Sequence, residues 1–176
     1  MTKTMMILAA FIGLLGITSC NKEDVDVTVK IYDLNFTDPG TTNNGWWENT
    51  SKVNGADIKS LFETNKITQS DLSRVKKVIT DNVTISLSSG LLDDYKWAEV
   101  FIRSAPGSAD SVKLAYATID PTKGTLKMEN QFEDAKKYID FNDFYITTRL
   151  FRKDGASTSP KPVTGSVTFK VTIAGK

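Results

Sequence analysis

The sequence lacks histidine altogether and contains a single cysteine, Cys20, among its 176 residues. Histidine is the most frequent general base and a common metal ligand, so its absence excludes Ser-His-Asp and Cys-His catalytic arrangements. Without a second cysteine the chain also lacks the usual ligands of zinc, haem and iron–sulfur sites. Its glycines stand at isolated positions and form no phosphate-binding loop. We therefore expect a protein that is not an enzyme and that holds no cofactor and no metal ion.

The sequence has no large excess of either charge, because it contains 22 Lys and Arg side chains and 21 Asp and Glu side chains. Residues 1–19 contain one basic side chain, Lys3, and no acidic one, so removing them leaves 21 charges of each sign. A protein that binds nucleic acid normally carries a basic patch or stripe. We therefore expect no nucleic acid among the partners.

Long hydrophobic runs are also missing, since a membrane span needs about 18 or more apolar residues. The longest apolar run, Met5–Gly16, follows Lys3 and ends shortly before the small residues Thr18 and Ser19. A basic start, a short apolar segment and small residues at a cleavage site are typical of a secretory signal peptide. We assign residues 1–19 to such a peptide.

Cys20 stands behind these small residues and ahead of a charged segment, and this position resembles the lipobox of bacterial lipoproteins. The resemblance implies that Cys20 is acylated and becomes the first residue of the mature chain. Free cysteines are usually buried as small hydrophobic side chains, but the charged neighbourhood disfavours burial here. Several acyl chains attach a protein stably to a membrane, so we expect the membrane itself to be a partner through this anchor.

Lys22, Glu23 and Asp24 follow the cysteine and resemble the export signal of surface-exposed lipoproteins of the Bacteroidota. An ordinary solvated run of charges is the alternative interpretation. Residues 20–24 then form a tether of roughly 15 Å when fully extended, which keeps the folded domain close to its membrane. The expected location is the outer membrane, with the domain facing the cell exterior.

Short segments with apolar residues at every second position dominate the rest of the chain, and this period of two is typical of half-buried strands. The first begins at Val25, and the clearest is the last. Strands are predicted at 25–32, 83–87, 97–103, 111–119, 144–151 and 167–173. Trp97 lies among apolar residues in one of them, and we expect its side chain to pack in the core. About six or seven such strands separated by turn residues favour an antiparallel sandwich.

Three short segments carry helical patterns instead. Ile58, Leu61 and Phe62 share one face of a helix, Thr68–Asp71 has the spacing of a capping box, and Gln131–Tyr138 has apolar residues at helical spacing. We therefore expect one to three short helices in the connections. Because no helix follows each strand, a parallel α/β fold is disfavoured.

The order of these segments resembles small lipoproteins of the Bacteroidota that are built as immunoglobulin-like β-sandwiches. The early strand, the helix at 58–62 and the strands at 83–87, 99–103 and 167–171 carry the resemblance. It implies a single all-β domain at 25–176 with an antiparallel immunoglobulin-like sandwich. The resemblance implies no catalytic residues.

Trp46 and Trp47 stand behind Gly45 in a polar segment that we predict to be a loop. An exposed aromatic ring can stack on the apolar face of a sugar or contact a partner protein. In the alternative interpretation, one ring covers an open end of the sandwich and the other is half exposed. Adjacent residues in an extended segment point to opposite sides, so the two rings cannot easily share one surface. They are nevertheless the candidate ligand-binding residues.

Carboxylate pairs are the feature that a hydrolase could use, because glycosidases place two acids on either side of the scissile bond. The candidate pairs are Asp93 with Asp94, Glu133 with Asp134, and Asp140 with Asp143. Neighbouring lysines favour the interpretation that these are solvated surface charges. The segment 140–143 also offers oxygen atoms to calcium, but it lacks the alternation and the glycine of a calcium loop.

These observations favour a binding or accessory module at the cell envelope, with a glycan or a protein as its partner. A structural subunit of a surface or fimbria-like assembly, which would use an exposed sheet edge, is the alternative. A carboxylate-based glycoside hydrolase is the remote alternative.

Overall fold

A computed structural model of the protein describes residues 23–40, 45–87, 94–119, 125–139 and 142–175. The predicted signal peptide, Cys20 and Lys22 lie outside the described residues, so their assignments stay predictions. Within the described ranges, no helix is long and apolar enough to cross a membrane.

The described strands form two antiparallel sheets. The strands are β1 (Val25–Asp38), β2 (Trp46–Val53), β3 (Val75–Leu87), β4 (Tyr95–Arg103), β5 (Ser111–Thr118), β6 (Thr125–Lys127), β7 (Glu129–Asn130), β8 (Phe144–Arg152) and β9 (Lys161–Ile173). The four-stranded sheet has the order β1-β9-β3-β6, and the five-stranded sheet has the order β2-β8-β4-β5-β7. The prediction of an all-β antiparallel sandwich is confirmed.

The core lies between the two sheets, where alternate residues of the last strand face inward. In β9 the exposed fractions of Val167, Phe169 and Val171 are all 0 %, while the residues between them are partly exposed. The five-stranded sheet contributes Ile146 and Leu150 from β8 to the same core. The period of two in the sequence therefore predicts correctly which face of the last strand is buried.

Two short helices connect β2 to β3, namely α1 (Gly55–Thr64) and α2 (Gln69–Leu72). Helix α1 buries Ile58 and Phe62, as predicted. The Asp143 carboxylate accepts a hydrogen bond from the Gly55 N–H at 3.0 Å. A negative charge at this position interacts favourably with the helix dipole.

Helix α2 begins after Thr68, and the predicted capping spacing is confirmed. The Asp71 carboxylate accepts hydrogen bonds from the Thr68 hydroxyl at 2.6 Å and from the Thr68 N–H at 2.9 Å. Arg74 donates a third hydrogen bond at 2.6 Å. Together these donors lower the pKa of Asp71 to about 2.

The predicted helix at 131–138 is wrong, because only a 3₁₀ turn at Lys136–Tyr138 forms there. The residues before it bond to the sheets instead of to one another. The Gln131 N–H donates to the Leu114 carbonyl, and the Ala135 N–H donates to the Val78 carbonyl, each at 2.8 Å. These backbone bonds replace the ones that a helix would make, so tertiary contacts override the helical spacing.

The polar segment that contains the two tryptophans is not a loop, and that prediction is also wrong. It forms β2, an edge strand that pairs with β8 along its whole length. The Thr50 and Thr147 hydroxyls lie 3.0 Å apart across this pair, and Val53 is the one residue of the strand that is buried. One side of an edge strand is open to water, so polar residues are tolerated on both of its faces. Strand β2 therefore lacks the alternation of apolar residues on which the prediction relied.

Candidate functional site

On the outer face of the five-stranded sheet, three aromatic side chains line up across neighbouring strands. Trp46 of β2 lies opposite Phe151 of β8, and Phe151 lies opposite Trp97 of β4. We call these three residues the aromatic row. The ring centroids of Trp97 and Phe151 are 4.3 Å apart and the ring planes meet at 54°, so the two rings form one continuous apolar surface. Because neighbouring strands lie about 4.8 Å apart, the row crosses roughly 10 Å of the sheet.

Trp97 is the most exposed member of the aromatic row, with an exposed fraction of 43 %. The next residue, Ala98, is fully buried and faces the core. Because successive residues of a strand point to opposite faces, Trp97 points to solvent. The prediction that Trp97 packs in the core is therefore wrong. Strand β4 has apolar side chains on both faces, so the sequence pattern does not show which ones face inward.

The two adjacent tryptophans point to opposite faces of β2. Trp47 lies opposite the fully buried Leu150, and its ring centroid is 5.2 Å from that of Phe36, so it packs against the core. Trp46 points outward, and the Arg149 guanidinium lies 5.0 Å from its ring centroid as a cation–π contact. Of the two predicted ligand-binding residues, only Trp46 lies on the outer face.

A row of charged side chains runs beside the aromatic row on the same face. The Arg149 Nε atom donates to Glu48 at 2.6 Å, and the Lys113 Nζ atom lies 2.6 Å from Glu99 Oε1. The Arg149 guanidinium also lies 5.2 Å from the ring centroid of Phe101. Each of these charges has a partner of opposite sign, so the row offers fixed polar groups whose charges cancel.

A shallow pocket of about 530 Å³ opens at the end of the aromatic row. Its walls include the rings of Trp97 and Phe151 together with Lys96 and Asp154. The Lys96 Nζ and Asp154 Oδ2 atoms are 3.7 Å apart and both side chains are exposed. The pocket thus joins an aromatic surface to groups that donate and accept hydrogen bonds, which is the combination that binds small polar ligands.

A buried ionic cluster lies beside this pocket and fixes one of its walls. The Asp38 carboxylate is fully buried and accepts hydrogen bonds from the Tyr95 hydroxyl at 2.6 Å and from Arg152 at 2.9 Å. Burial raises the pKa of Tyr95, and the hydrogen bond to Asp38 adds to this effect. Arg152 itself lines the pocket. The sequence pattern gives no sign of the cluster, because Asp38 and Arg152 are 114 residues apart in the chain.

Asp94 holds the loop between β8 and β9 against the sheet. Its carboxylate accepts a hydrogen bond from the Ser157 N–H at 2.9 Å and lies 2.6 Å from the Lys161 Nζ atom. Burial opposes the ionisation of Asp94, but the hydrogen bonds from Lys161 and Ser157 and the charge of Arg152 outweigh it, so its pKa is lowered. This candidate acid is therefore engaged in positioning a loop.

The other candidate carboxylates lie apart from the aromatic row. Asp143 pairs with Lys52 at 2.6 Å, and the hydrogen bond from Lys52 lowers its pKa. Asp134 accepts a hydrogen bond from a backbone N–H of β3, while Asp93 and Asp140 lie outside the described residues. In the part of the chain that the structure describes, no group of three His, Cys, Asp or Glu side chains could hold a metal ion.

The described part of the predicted export signal lies at the start of β1. Glu23 and Asp24 are both exposed, and Asp24 pairs with Lys76 at 2.8 Å. Asp24 is thus held to the folded domain, while the role of the segment in export stays a prediction.

Comparison with known proteins gives no family for this chain. No protein-family model and no curated protein matches it. Among solved structures, a chain from turnip yellow mosaic virus is 12 % identical, with 86 % of this chain and 84 % of that chain covered at a TM-score of 0.23. A TM-score this low carries no argument about fold or function.

Proposed function

We propose that this protein is a non-catalytic glycan-binding module of the cell envelope and that the aromatic row is its docking surface. The observation that carries the proposal is the exposed ring of Trp97 on a central strand, in contact with Phe151. A ring that keeps 43 % of its surface in water contributes less to folding than a fully buried ring does. Its flat apolar surface is free to cover the apolar face of a sugar, and its N–H can find a polar partner.

The polar side chains around the aromatic row also favour a sugar. Lys96 and Asp154 offer hydrogen-bond donors and acceptors at the edge of the Trp97 ring, where the hydroxyl groups of a stacked sugar would lie. A protein partner is the competing ligand. The cores of protein interfaces are depleted of charged residues, whereas here the paired charges of Glu48 and Arg149 lie directly beside the aromatic row.

The position of the site suits a lipoprotein that faces outward. In the proposal, Cys20 anchors the chain in the outer membrane, and β1 begins close to that anchor at Val25. The 14 residues of β1 span about 40 Å at roughly 3.3 Å per residue. The pocket beside Trp97 lies toward the far end of β1, near Asp38, so a ligand outside the cell can reach it. The resemblance to immunoglobulin-like lipoproteins of the Bacteroidota belongs to this proposal.

A subunit of a surface assembly has less support, because such a subunit needs an edge strand that readily pairs with another chain. Strand β1 is the longest edge strand in the described part of the chain and lies at one side of the four-stranded sheet. Asp26, Lys30 and Asp33 put charges along it, and a β-bulge interrupts its pairing between Lys30 and Tyr32. Charges and bulges are features that discourage pairing between edges.

A glycoside hydrolase also has less support. Its general acid must keep a proton near neutral pH, which requires a raised pKa. The pKa values of Asp94 and Asp143 are lowered instead.

The test is a glycan-array screen of the detergent-solubilised full-length protein. Trp97→Ala removes the most exposed ring of the aromatic row, and we expect it to lower the affinity for the bound glycan at least about tenfold, a loss of about 1.4 kcal/mol. The aromatic pair contributes about 0.5–1.5 kcal/mol in addition to the burial of the rest of the ring, so the melting temperature should fall by about 5–20 °C, and binding is measured well below it.

Phe132→Ala is the matched control, because Phe132 is a 70 % exposed ring that lies outside the aromatic row. It should change neither binding nor melting temperature. Equal loss of binding in the two variants, or full binding by Trp97→Ala, would contradict the proposal.

A further inference from the structure

A second pocket of about 420 Å³ adjoins the first at the end of the sandwich. The two pockets share Gly45, Arg152 and Asp154. The second is otherwise lined by Gly40 and by four residues of the loop between β8 and β9, namely Lys153, Gly155, Ala156 and Thr158. Because the two pockets share three residues, they adjoin, and we call them together the end groove.

We infer that the ligand is an oligosaccharide chain that lies on Trp97 and continues through the end groove, rather than a single sugar. This inference rests on the proposed function and names the class of glycan. Each pocket falls within the range of about 300–1,000 Å³ that usually holds one whole small-molecule ligand. Two such pockets in series therefore accommodate several sugar units.

The loop that lines the end groove is held in place before any ligand binds. The Ser157 N–H donates to Asp94 at 2.9 Å, and the Ser157 carbonyl accepts a hydrogen bond from Arg152. Gly40 packs so closely on this loop that an added Cβ would lie only 2.0 Å from the carbonyl oxygen of Thr158. A groove with fixed walls loses little conformational entropy on binding, so each further sugar unit can add affinity.

The side chains along the end groove match the hydroxyl groups of a sugar chain. Lys96 and Asp154 lie at its first section, and the exposed Lys153 lies at its second section. These groups donate and accept hydrogen bonds at intervals, whereas a lipid chain would displace the water around them without replacing its hydrogen bonds.

The experiment measures affinity against chain length with the full-length protein in detergent. The probes are fragments, from disaccharide to hexasaccharide, of β-1,4-glucan, β-1,3-glucan, α-1,4-glucan, xylan and chitin. For the fragments that bind, we expect the hexasaccharide to bind at least about tenfold more tightly than the disaccharide. Thr158→Trp places a large ring in the second pocket, so it should remove that gain and leave disaccharide affinity within about twofold.

Ser159→Trp is the matched control, since Ser159 is an exposed residue of the same loop that does not line either pocket. It should keep the gain with chain length. Ala156→Trp, which fills the same pocket from another position, should repeat the Thr158→Trp result if that variant is unstable. Equal affinity for all chain lengths, or equal effects of Thr158→Trp and Ser159→Trp, overturns the inference and leaves glycan binding intact. No binding to any fragment overturns both proposals.

Discussion

Replacing Arg152 with methionine removes the cation that balances the buried Asp38 carboxylate. The Arg152 side chain is 5 % exposed and that of Asp38 is 0 % exposed, so water cannot replace the lost partner. The Tyr95 hydroxyl and the Gly40 N–H still donate to Asp38, but neither carries a charge. Breaking a buried ion pair by removing one partner costs about 3–5 kcal/mol. For a domain of this size, the melting temperature should then fall by about 6–20 °C.

Urea denaturation followed by tryptophan fluorescence measures this loss of stability. The double variant Asp38→Asn/Arg152→Met removes both charges, so it should be more stable than Arg152→Met alone. Lys153→Met is the control, because Lys153 is exposed and a surface substitution usually changes stability by less than about 0.5 kcal/mol. A loss below about 1 kcal/mol in Arg152→Met would refute the reasoning. The reasoning would also be refuted if the double variant lost as much stability as Arg152→Met and a separate Asp38→Asn variant lose in sum.

Three further predictions concern the core, the second helix and the anchor. Phe169→Ala should lower the free energy of unfolding by about 3–5 kcal/mol because the ring is fully buried. Thr168→Ala on the other face of β9 should lower it far less. Equal urea midpoints of unfolding for the two variants would contradict this. The low pKa of Asp71, about 2 against its usual 3.8, stabilises the fold above pH 3.8. This contribution disappears as the pH falls through about 2, so the difference in melting temperature between wild type and Asp71→Asn should shrink over that interval; a constant difference would contradict the assignment. Cys20→Ala should release the protein from the membrane fraction or leave it uncleaved, and unchanged detergent partitioning would contradict acylation at Cys20.

The all-β fold follows from the sequence because its strands alternate apolar and polar residues. Phe169 and its neighbours on β9 show this alternation clearly, and they are buried as predicted. Strand β2 could not be predicted in this way, because its residues 48–52 form an unbroken polar run that lacks apolar alternation. The helix predicted at 131–138 failed for a different reason, since its backbone donors bond to distant strands.

Only part of the candidate site could be predicted from the sequence. Trp46 stood out as a large ring among polar residues, and it does lie on the outer face. Trp97 did not stand out, because Ala98 and Val100 beside it are apolar as well and only the sheet register shows which of them face inward. The Asp38–Arg152 pair depends on strands that are distant in the chain, so no local pattern indicates it.

The most direct test of the central claim uses the indole N–H signals of the three tryptophans in a ¹H–¹⁵N correlation spectrum. Titration with the tightest-binding oligosaccharide should shift the signals of Trp97 and Trp46, which lie on the outer face. The signal of Trp47 should stay in place, because its ring packs against Phe36 on the inner side. If Trp47 shifts while Trp97 does not, or if the ligand binds without shifting any of the three signals, the aromatic row is not the docking surface.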